Sequence, residues 1–192
     1  MTCSVDFEPR VTFAEGLDRR ETDRLVTGSK FQELHLSLPS NRRFVSPVLA
    51  LFRELSESVG ALTDREQLSV SIALEEAISN AIIHGNLEVS SKLRDLEDES
   101  FERMIAFRLE KTPFGSRRVQ IKARFSETEV TFTITDEGPG FDVAAIPDPT
   151  DDENVLLTHG RGLFLMRSFM DNVTHNANGN QVTLVKRKCL DA

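Results

Sequence analysis

The sequence predicts an α/β fold in which helices and strands are combined in one domain. Its 192 residues suit a single domain with a sizeable core. Segments such as VQIKARF and EVTFTIT alternate apolar and polar residues, which is typical of half-buried strands. Other segments, above all LEEAISNAIIHGN, repeat apolar residues at helical spacing. Both kinds of element are therefore expected in the chain.

The composition argues against several classes of protein. The chain carries 31 acidic and 23 basic residues, a net charge of −8. A general nucleic-acid binder needs a basic surface instead. The N-terminal MTCSVDFEPR lacks the apolar stretch of a signal peptide, and no run approaches the roughly 18 apolar residues of a membrane span. We therefore expect a cytoplasmic protein that binds neither nucleic acid nor a membrane directly.

The N-terminal third predicts a leader, a strand and a helix. Residues 1–30 are rich in charge and weak in periodicity, so we interpret them as a loosely ordered leader or an added arm. Alternation of Leu with polar residues predicts a strand over 32–38. The helix after it is expected to begin at Ser40 or Asn41 and to end at Gly60.

A capping box predicts the start of the second helix. The Thr63 side chain can accept from the Glu66 amide, while the Glu66 carboxylate reaches back to the Thr63 amide, just before a periodic apolar run. This helix is expected to run to about His84. Residues 87–118 then form an insertion, polar at first and with a helix predicted in FERMIAFRLE.

The remaining sequence predicts four strands and one helix. Strands over 119–125 and 129–135 form a hairpin, because only a short polar link separates them. The prolines and acidic residues that follow, up to Gly160, predict a long mobile loop. A helix in LFLMRSFMD comes next. Two strands, in DNVTHNA and NQVTLVKRK, then flank the turn signal Asn178-Gly179.

Three polar residues follow one line of the second helix. Glu76, Asn80 and His84 are spaced four residues apart and fall within roughly an 80° arc beside the apolar face. On the wall of a cleft, an Asn amide oxygen can ligate a hard cation, and a carboxylate can accept a proton from an attacking hydroxyl. Taken alone, a solvated polar stripe is the commoner explanation.

Two glycine-rich segments suggest contacts with a ligand. DEGPGF, from Asp136 to Phe141, follows a predicted strand. Its glycines permit close backbone approach to a flat ligand, and the Asp carboxylate can accept a hydrogen bond from the exocyclic amino group of adenine. HGRGLFLM, from His159 to Met166, opens a helix whose amides, with a guanidinium, can hold phosphate oxygens. In isolation, each is more simply a turn or a flexible loop.

The combination of these motifs resembles a known family. In this order, E-x-x-x-N-A-x-x-H-G-N, D-x-G-x-G-F-D and G-R-G-L-x-L-M are similar to the ATP-binding domain of histidine-kinase-like ATPases with the left-handed Bergerat nucleotide site. Within that group they most resemble the anti-sigma-factor serine/threonine kinases of bacterial partner switching. The resemblance implies one domain over 31–190. Its expected architecture is a two-layer sandwich in which a mixed, mostly antiparallel sheet is covered on one face by helices.

The resemblance also implies a role for each matching residue. Glu76 would activate the substrate hydroxyl, with Glu75, about 100° around the helix, as its nearest rival. Asn80 would bind the Mg²⁺ that bridges the phosphates of ATP, and Asp136 would contact adenine. For His84 a structural hydrogen bond is favoured over direct contact with the ligand. The other residues expected around ATP are Gly138, Gly140, Gly160, Arg161, Gly162 and Leu163.

The chain departs from the family pattern in three places. The family commonly has Gly-Thr before its final strand, whereas here Gly179 is followed by Asn180 and Gln181. The insertion at 87–118 is longer than the expected link, and the leader has no counterpart in the minimal domain.

The resemblance implies an enzyme, an ATP-dependent serine/threonine protein kinase. It would phosphorylate a small anti-sigma antagonist protein and also bind a sigma factor, and the analogy extends to a homodimer. The alternative is a non-catalytic module in which ATP orders a lid over the phosphates, formed by Gly160, Arg161 and Gly162, and the protein sequesters a regulatory partner. A sensor histidine kinase is disfavoured because no two-helix dimerisation region with a phosphoacceptor His is visible; His35 lies in the predicted first strand.

Overall fold

The computed structural model describes residues 22–27, 31–95, 99–143 and 161–189. Within these ranges the strands are β1 (Thr22–Thr27), β2 (Phe31–Pro39), β3 (Arg118–Ser126), β4 (Glu129–Thr135), β5 (Asn172–His175) and β6 (Gln181–Arg187). The α-helices are α1 (Val45–Ser58), α2 (Asp64–Asn80), α3 (Ser100–Leu109) and α4 (Arg161–Phe169).

The six strands form one sheet in the order β1-β2-β3-β4-β6-β5. Short turns join β3 to β4 and β5 to β6, so both pairs are hairpins and necessarily antiparallel. The pairings of β1 with β2, β2 with β3 and β4 with β6 are antiparallel as well. A mixed sheet was expected, but the described part of the chain contains no parallel pair.

One face of the sheet packs against helices, which confirms the predicted α+β fold. Burial alternates along β3 and β4, so every second residue enters the core. Since the chain has no Trp or Tyr, phenylalanines supply its aromatic core. Phe52 of α1 packs against two of them. Its ring centroid is 6.0 Å from that of Phe125 and 5.2 Å from that of Phe132. These contacts join the helix layer to the sheet.

The strand β1 corrects the prediction for the leader. Residues 22–27 pair with β2 along its free edge, with a register shift near Thr22. The sequence TDRLVT has only one short apolar stretch, so its periodicity was too weak to predict a strand. The backbone of β2 supplies the missing reason, because an exposed sheet edge offers unpaired amides and carbonyls to any extended segment.

The two predicted helix starts differ in outcome: α1 begins at Val45 rather than at Ser40 or Asn41 and has no side-chain cap, whereas α2 begins at the predicted cap. Asn41 accepts a hydrogen bond from the Arg43 amide and so caps a short 3-10 turn before α1. Gly60 has a positive φ of 62° just after α1 ends. At the start of α2, the Thr63 hydroxyl accepts from the Glu66 amide and the Glu66 carboxylate accepts from the Thr63 amide. The predicted capping box is confirmed.

The helix α2 changes its hydrogen bonding near the predicted end. After Asn80, a π-helical turn runs over Ala81–Asn86, with the Leu87 amide bonded to the Ile82 carbonyl at 2.9 Å. A wider turn of this kind is frequent at functional sites. It rotates the last residues of the motif relative to a regular α-helix.

The insertion packs as a small unit beside the start of α1. It contains a 3-10 turn over Ser91–Asp95 and the predicted helix, α3, which buries Phe101 and Ile105. An ion pair between Arg42 and Glu102 links it to the turn before α1. The insertion is therefore attached to the domain through both apolar and charged contacts.

The C-terminal elements include the predicted helix and hairpin. The turn between β5 and β6 has Gly179 at a φ of 71°, as the Asn-Gly signal predicts. The predicted mobile loop lies mostly outside the described residues, since 144–160 are not included. None of the helices in the described ranges combines the length and apolar character that a membrane crossing requires.

Candidate active site

A cavity of about 750 Å³ lies between α2, α4 and the ends of β4 and β6. Its volume falls within the range of roughly 300–1,000 Å³ usual for small-molecule sites. Segments that are distant in sequence meet there. The candidate residues on its wall are Glu76, Asn80, His84, Asp136, Gly140, Gly162 and Leu163.

The other three residues predicted to bind ATP are Gly138, Arg161 and Gly160. Gly138 does not line the cavity but contacts Asp136, which does. Arg161 is the first residue of α4, and its side chain lies outside the description. Gly160 lies outside the described residues altogether.

The polar line of α2 forms one wall of the cavity. Glu76 and Asn80 are one turn apart on it, whereas Glu75 is exposed and does not reach the cavity. The first turn of α4 lies directly against this wall. A Cβ atom built on Gly162 would be 2.5 Å from Glu76 Oε2 and 3.3 Å from Asn80 Nδ2. Any side chain at position 162 would therefore displace the Glu76 carboxylate.

Asp136 stands at the opposite end of the cavity, directly after β4. Its Oδ1 accepts a hydrogen bond of 2.8 Å from the Gly138 amide. Burial raises the pKa of the Asp136 carboxyl to about 6, although the Gly138 amide and the positive charge of Arg117 act to lower it. Near neutral pH the carboxylate remains ionised and can accept hydrogen bonds from a ligand.

Asp136 lies close to the motif helix, which is α2 together with the π-helical turn over Ala81–Asn86. A Cβ atom on Gly85 would lie 2.4 Å from the carboxyl carbon of Asp136, and one on Gly138 would lie 2.3 Å from the Gly85 carbonyl oxygen. Neither position tolerates a side chain without movement of the Asp136 segment. The helix was predicted to end near His84, and Gly85 directly after it has a further role, since its missing side chain makes room for the Asp136 carboxylate.

The turn between β5 and β6 supports the same end of the cavity. Its Asn180 donates from Nδ2 to the Asp136 carbonyl oxygen at 3.1 Å, and Gln181 donates from Nε2 to Thr135 Oγ1 at 2.9 Å. Asn176 in turn accepts from the Asn180 amide. The two residues that replace the family's usual Thr thus hold the end of β4, and both also line the cavity.

A buried polar network, which the sequence analysis missed, fixes Asp136 from the other side. Asn86 is fully buried; its Oδ1 accepts from the Glu137 amide at 2.7 Å and its Nδ2 donates to Ser40 Oγ at 2.9 Å. Arg117 donates from Nη1 to the Asn86 carbonyl oxygen at 2.8 Å. The signal in the sequence is the Asn that directly follows the motif glycine in H-G-N, to which no separate role was assigned.

His84 makes the structural hydrogen bond that was favoured for it. Its Nδ1 donates to the Val89 carbonyl oxygen at 2.6 Å, which ties the start of the insertion to the motif helix. The same residue also lines the cavity, so contact with a ligand stays a prediction.

Additional residues on the wall were not singled out from the sequence. Ser91 comes from the insertion, and Phe141 and His175 meet edge to face with ring centroids 5.4 Å apart. Burial, followed by the charge of Arg167, lowers the pKa of His175. Phe141 belongs to the D-x-G-x-G-F motif, whereas no local pattern marks Ser91 or His175, which reach the cavity through tertiary packing.

The residues present suit an adenine nucleotide with a divalent cation. One end offers a carboxylate acceptor among close-packed glycines, and the other offers an amide oxygen beside a second carboxylate. Among the residues described, no three or more His, Cys, Asp or Glu side chains are grouped to hold a metal ion. Ligation of Mg²⁺ by Asn80 stays a prediction; it fits the tendency of this ion in nucleotide sites to take few protein ligands beside phosphate and water oxygens.

The chain is similar to known proteins in structure and in sequence. The structure of the RsbU and RsbW domains of Rv1364c from Mycobacterium tuberculosis matches with 15% sequence identity and a TM-score of 0.47, covering 81% of this chain and 32% of that one. This chain thus spans about a third of that protein, and a likeness at this level does not bear on activity. A search of curated proteins found no match. A family model described as the histidine kinase-like ATPase domain matches residues 38–186. That match covers most of the chain and both walls of the cavity, so the protein belongs to the histidine kinase-like ATPase domain family and is an ATP-binding domain.

Proposed function

We propose that the protein is an ATP-dependent serine/threonine protein kinase of the anti-sigma-factor type. Its substrate would be a small antagonist protein, and a sigma factor would be its second partner. The observation that carries the proposal is the position of Glu76, a carboxylate on the cavity wall one helical turn from Asn80. The specific partners follow from the motif resemblance.

Each candidate residue has a role in this proposal. Asn80 would provide the amide oxygen that ligates Mg²⁺, which when bound would neutralise charge on the phosphates. Asp136 would accept the amino hydrogen of adenine, and Gly138 and Gly140 would let the backbone lie close to the base. The lid over the phosphates would comprise Gly160, Arg161 and Gly162, and Leu163 would contact ATP beside it.

Glu76 would act on the hydroxyl of the protein substrate. Its carboxylate would accept the hydroxyl proton while the hydroxyl oxygen forms a bond to the γ-phosphorus of ATP. The bond from that phosphorus to the β,γ-bridging oxygen breaks, and ADP leaves with its electron pair. Since phosphoryl transfer mainly needs alignment and charge neutralisation, one positioned carboxylate beside a cation site is a sufficient contribution from α2.

Substitution of two neighbouring glutamates tests the proposal. Glu76→Gln keeps the size of the side chain but cannot take the proton, so transfer of ³²P from Mg-ATP to a seryl substrate protein should fall about 100-fold or more. ATP affinity should change little. Glu75→Gln, the matched control, alters an exposed residue outside the cavity and should transfer phosphate at the wild-type rate.

The outcomes distinguish the two functions considered. Normal transfer by Glu76→Gln would remove Glu76 from the catalytic role. A wild-type protein that forms a stoichiometric, ATP-dependent complex with its partner, yet yields no phosphoprotein, would instead identify the non-catalytic binding module.

A further inference from the structure

The insertion brings one of its residues, Ser91, onto the wall of the ATP cavity. Ser91 is partly buried and opens the short 3-10 turn over Ser91–Asp95. We infer that Ser91 is a nucleotide-binding residue whose hydroxyl contacts the ribose of ATP. The inference rests on the ATP-binding function and adds a contact from a segment that the three motifs do not include.

The position along the cavity identifies the ribose as the group within reach. The motif helix runs from Glu76, which lies against Gly162, to Gly85, which lies against Asp136. With the base at Asp136 and the phosphates near Asn80, the sugar falls between them, beside the last turn of this helix. That turn carries His84.

Two hydrogen bonds of Val89 place Ser91 beside the last turn of the motif helix. His84 donates to the Val89 carbonyl oxygen, and the Val89 amide donates to the Ile83 carbonyl at 2.9 Å. Because Ser91 is two residues further along, its α-carbon is within about 7 Å of that of Val89. The serine is thus held on the cavity wall beside the last turn of the motif helix.

The chain turns at Glu88, just before the segment that brings Ser91 to the cavity wall. Glu88 has a φ of 51°, a left-handed conformation that is uncommon for a residue with a side chain. Two contacts hold it there: its carboxylate accepts from Arg117 Nη1 at 2.7 Å, and the same guanidinium bonds the carbonyl of Asn86. A backbone kept in such a conformation by its surroundings is often found at functional sites.

An aromatic clamp anchors the far end of the insertion to the same arginine. The guanidinium of Arg117 lies 5.3 Å from the Phe114 ring centroid, and that of Arg108 lies 3.9 Å from it. Arg117, itself near the C-terminal end of the insertion, therefore joins that end to Glu88 near the other. Ser91 is presented by a braced segment, which reduces the entropy lost when a ligand binds.

The chemistry of serine suits a sugar hydroxyl. Its hydroxyl can donate and accept hydrogen bonds at once, as the 2′ and 3′ hydroxyls of ribose do. One such bond between neutral groups changes affinity about three- to tenfold. This effect is large enough to measure without abolishing binding.

The test compares nucleotides that differ in one ribose hydroxyl. Affinities of ATP, 2′-deoxy-ATP and 3′-deoxy-ATP, each with Mg²⁺, are measured by calorimetry for the full chain and its variants. Wild type should bind one deoxynucleotide about three- to tenfold more weakly than ATP. Ser91→Ala should bind ATP more weakly by the same factor and bind that deoxynucleotide as wild type does, so that discrimination disappears.

Two further variants separate ligand contact from a structural effect. Ser91→Cys keeps the size of the side chain but is a weak hydrogen-bond donor, so it should also lose discrimination. Ser90→Ala removes the hydroxyl that accepts the Lys92 amide, 3.3 Å away, and thus perturbs the same turn without changing the cavity wall. It should discriminate as wild type does.

The results that would overturn the inference differ from those that concern ATP binding itself. Full discrimination by Ser91→Ala, loss of it in Ser90→Ala, or equal binding of all three nucleotides by wild type would exclude a Ser91–ribose contact while ATP binding stands. If wild type bound none of the three, both the nucleotide site and this inference would fail.

Discussion

The surroundings of Asp136 disfavour ionisation of its carboxyl group, whereas its proposed role requires the ionised carboxylate. Burial raises its pKa to about 6, so the folded protein takes up a proton more readily than the unfolded chain, in which the pKa is about 4. Uptake of this proton stabilises the folded state; the stabilisation is fully present below about pH 4 and is lost as the pH rises through 6. At neutral pH, Asp136 therefore destabilises the fold.

Asp136→Asn should make the protein more stable at pH 8. The neutral amide can still accept from the Gly138 amide but has no charge to desolvate. Because the carboxyl is only partly buried and solvent screens part of the effect, the gain in the free energy of unfolding should be on the order of 1–2 kcal/mol. The gain should vanish near pH 4. Urea denaturation at pH 4, 6 and 8 measures it, and a variant less stable than wild type at pH 8 would contradict the cause given for the shift.

ATP affinity should fall at least about tenfold in the same variant, because a charged acceptor is lost.

The Asn86 side chain should contribute more to stability than its exposed counterparts. Asn86→Ala leaves the Glu137 amide without its acceptor and Ser40 Oγ without a donor, so the free energy of unfolding should decrease by about 2–4 kcal/mol. Asn172→Ala, at an exposed position in β5, serves as the control and should change it by less than about 0.5 kcal/mol. Similar losses in the two variants would show that the buried network is unimportant.

Among the elements, α2 carries the polar wall of the site, and its start is fixed by the capping box. The Glu66 carboxylate joins this start to the C-terminal end of the sheet, since Oε1 also accepts from the Cys189 amide at 2.9 Å. Burial opposes its ionisation, but the hydrogen bonds from Thr63 and Cys189 lower the pKa of Glu66 to about 2. The box is therefore intact at any pH near neutrality.

Removal of the cap should destabilise the fold by an amount typical of helix ends. Thr63→Ala loses the hydroxyl that accepts the Glu66 amide, and the free energy of unfolding should decrease by about 1 kcal/mol. Thr63→Ser retains the acceptor and should remain within about 0.5 kcal/mol of wild type. Equal losses in both variants, measured by urea denaturation, would assign the effect to the lost methyl group instead.

At the scale of the whole molecule, ATP should stabilise the fold by binding only the native state. At 100 times its dissociation constant a ligand adds about 2.7 kcal/mol, which raises Tm by roughly 5–10 °C for a domain of this size. EDTA should reduce the shift, because removal of Mg²⁺ leaves the phosphate charges uncompensated near Glu76. Asn80→Ala should show a small shift that no longer depends on Mg²⁺. Absence of any shift at millimolar ATP would contradict the assignment of the cavity.

Local signals predicted most elements and the family of the molecule. The capping box at Thr63, the Asn178-Gly179 turn and the hairpin of β3 and β4 each depend on residues that are close in the sequence. Their partners are therefore visible in the same short stretch. The order of the three motifs similarly predicted which segments would meet at the cavity.

Contacts between distant segments were decided only by the tertiary structure. The strand β1 forms because β2 offers an open edge. Asn86 stabilises the site because Ser40 and Glu137 lie within hydrogen-bond distance of its side chain. Ser91 reaches the cavity after the chain turns at Glu88. Each depends on groups brought together by packing, and a helix stop, a weakly periodic strand or a polar insertion looks the same in sequence whatever it later meets. The sequence by itself thus determined the elements and the nucleotide motifs. Folding decided which other side chains support and complete the site.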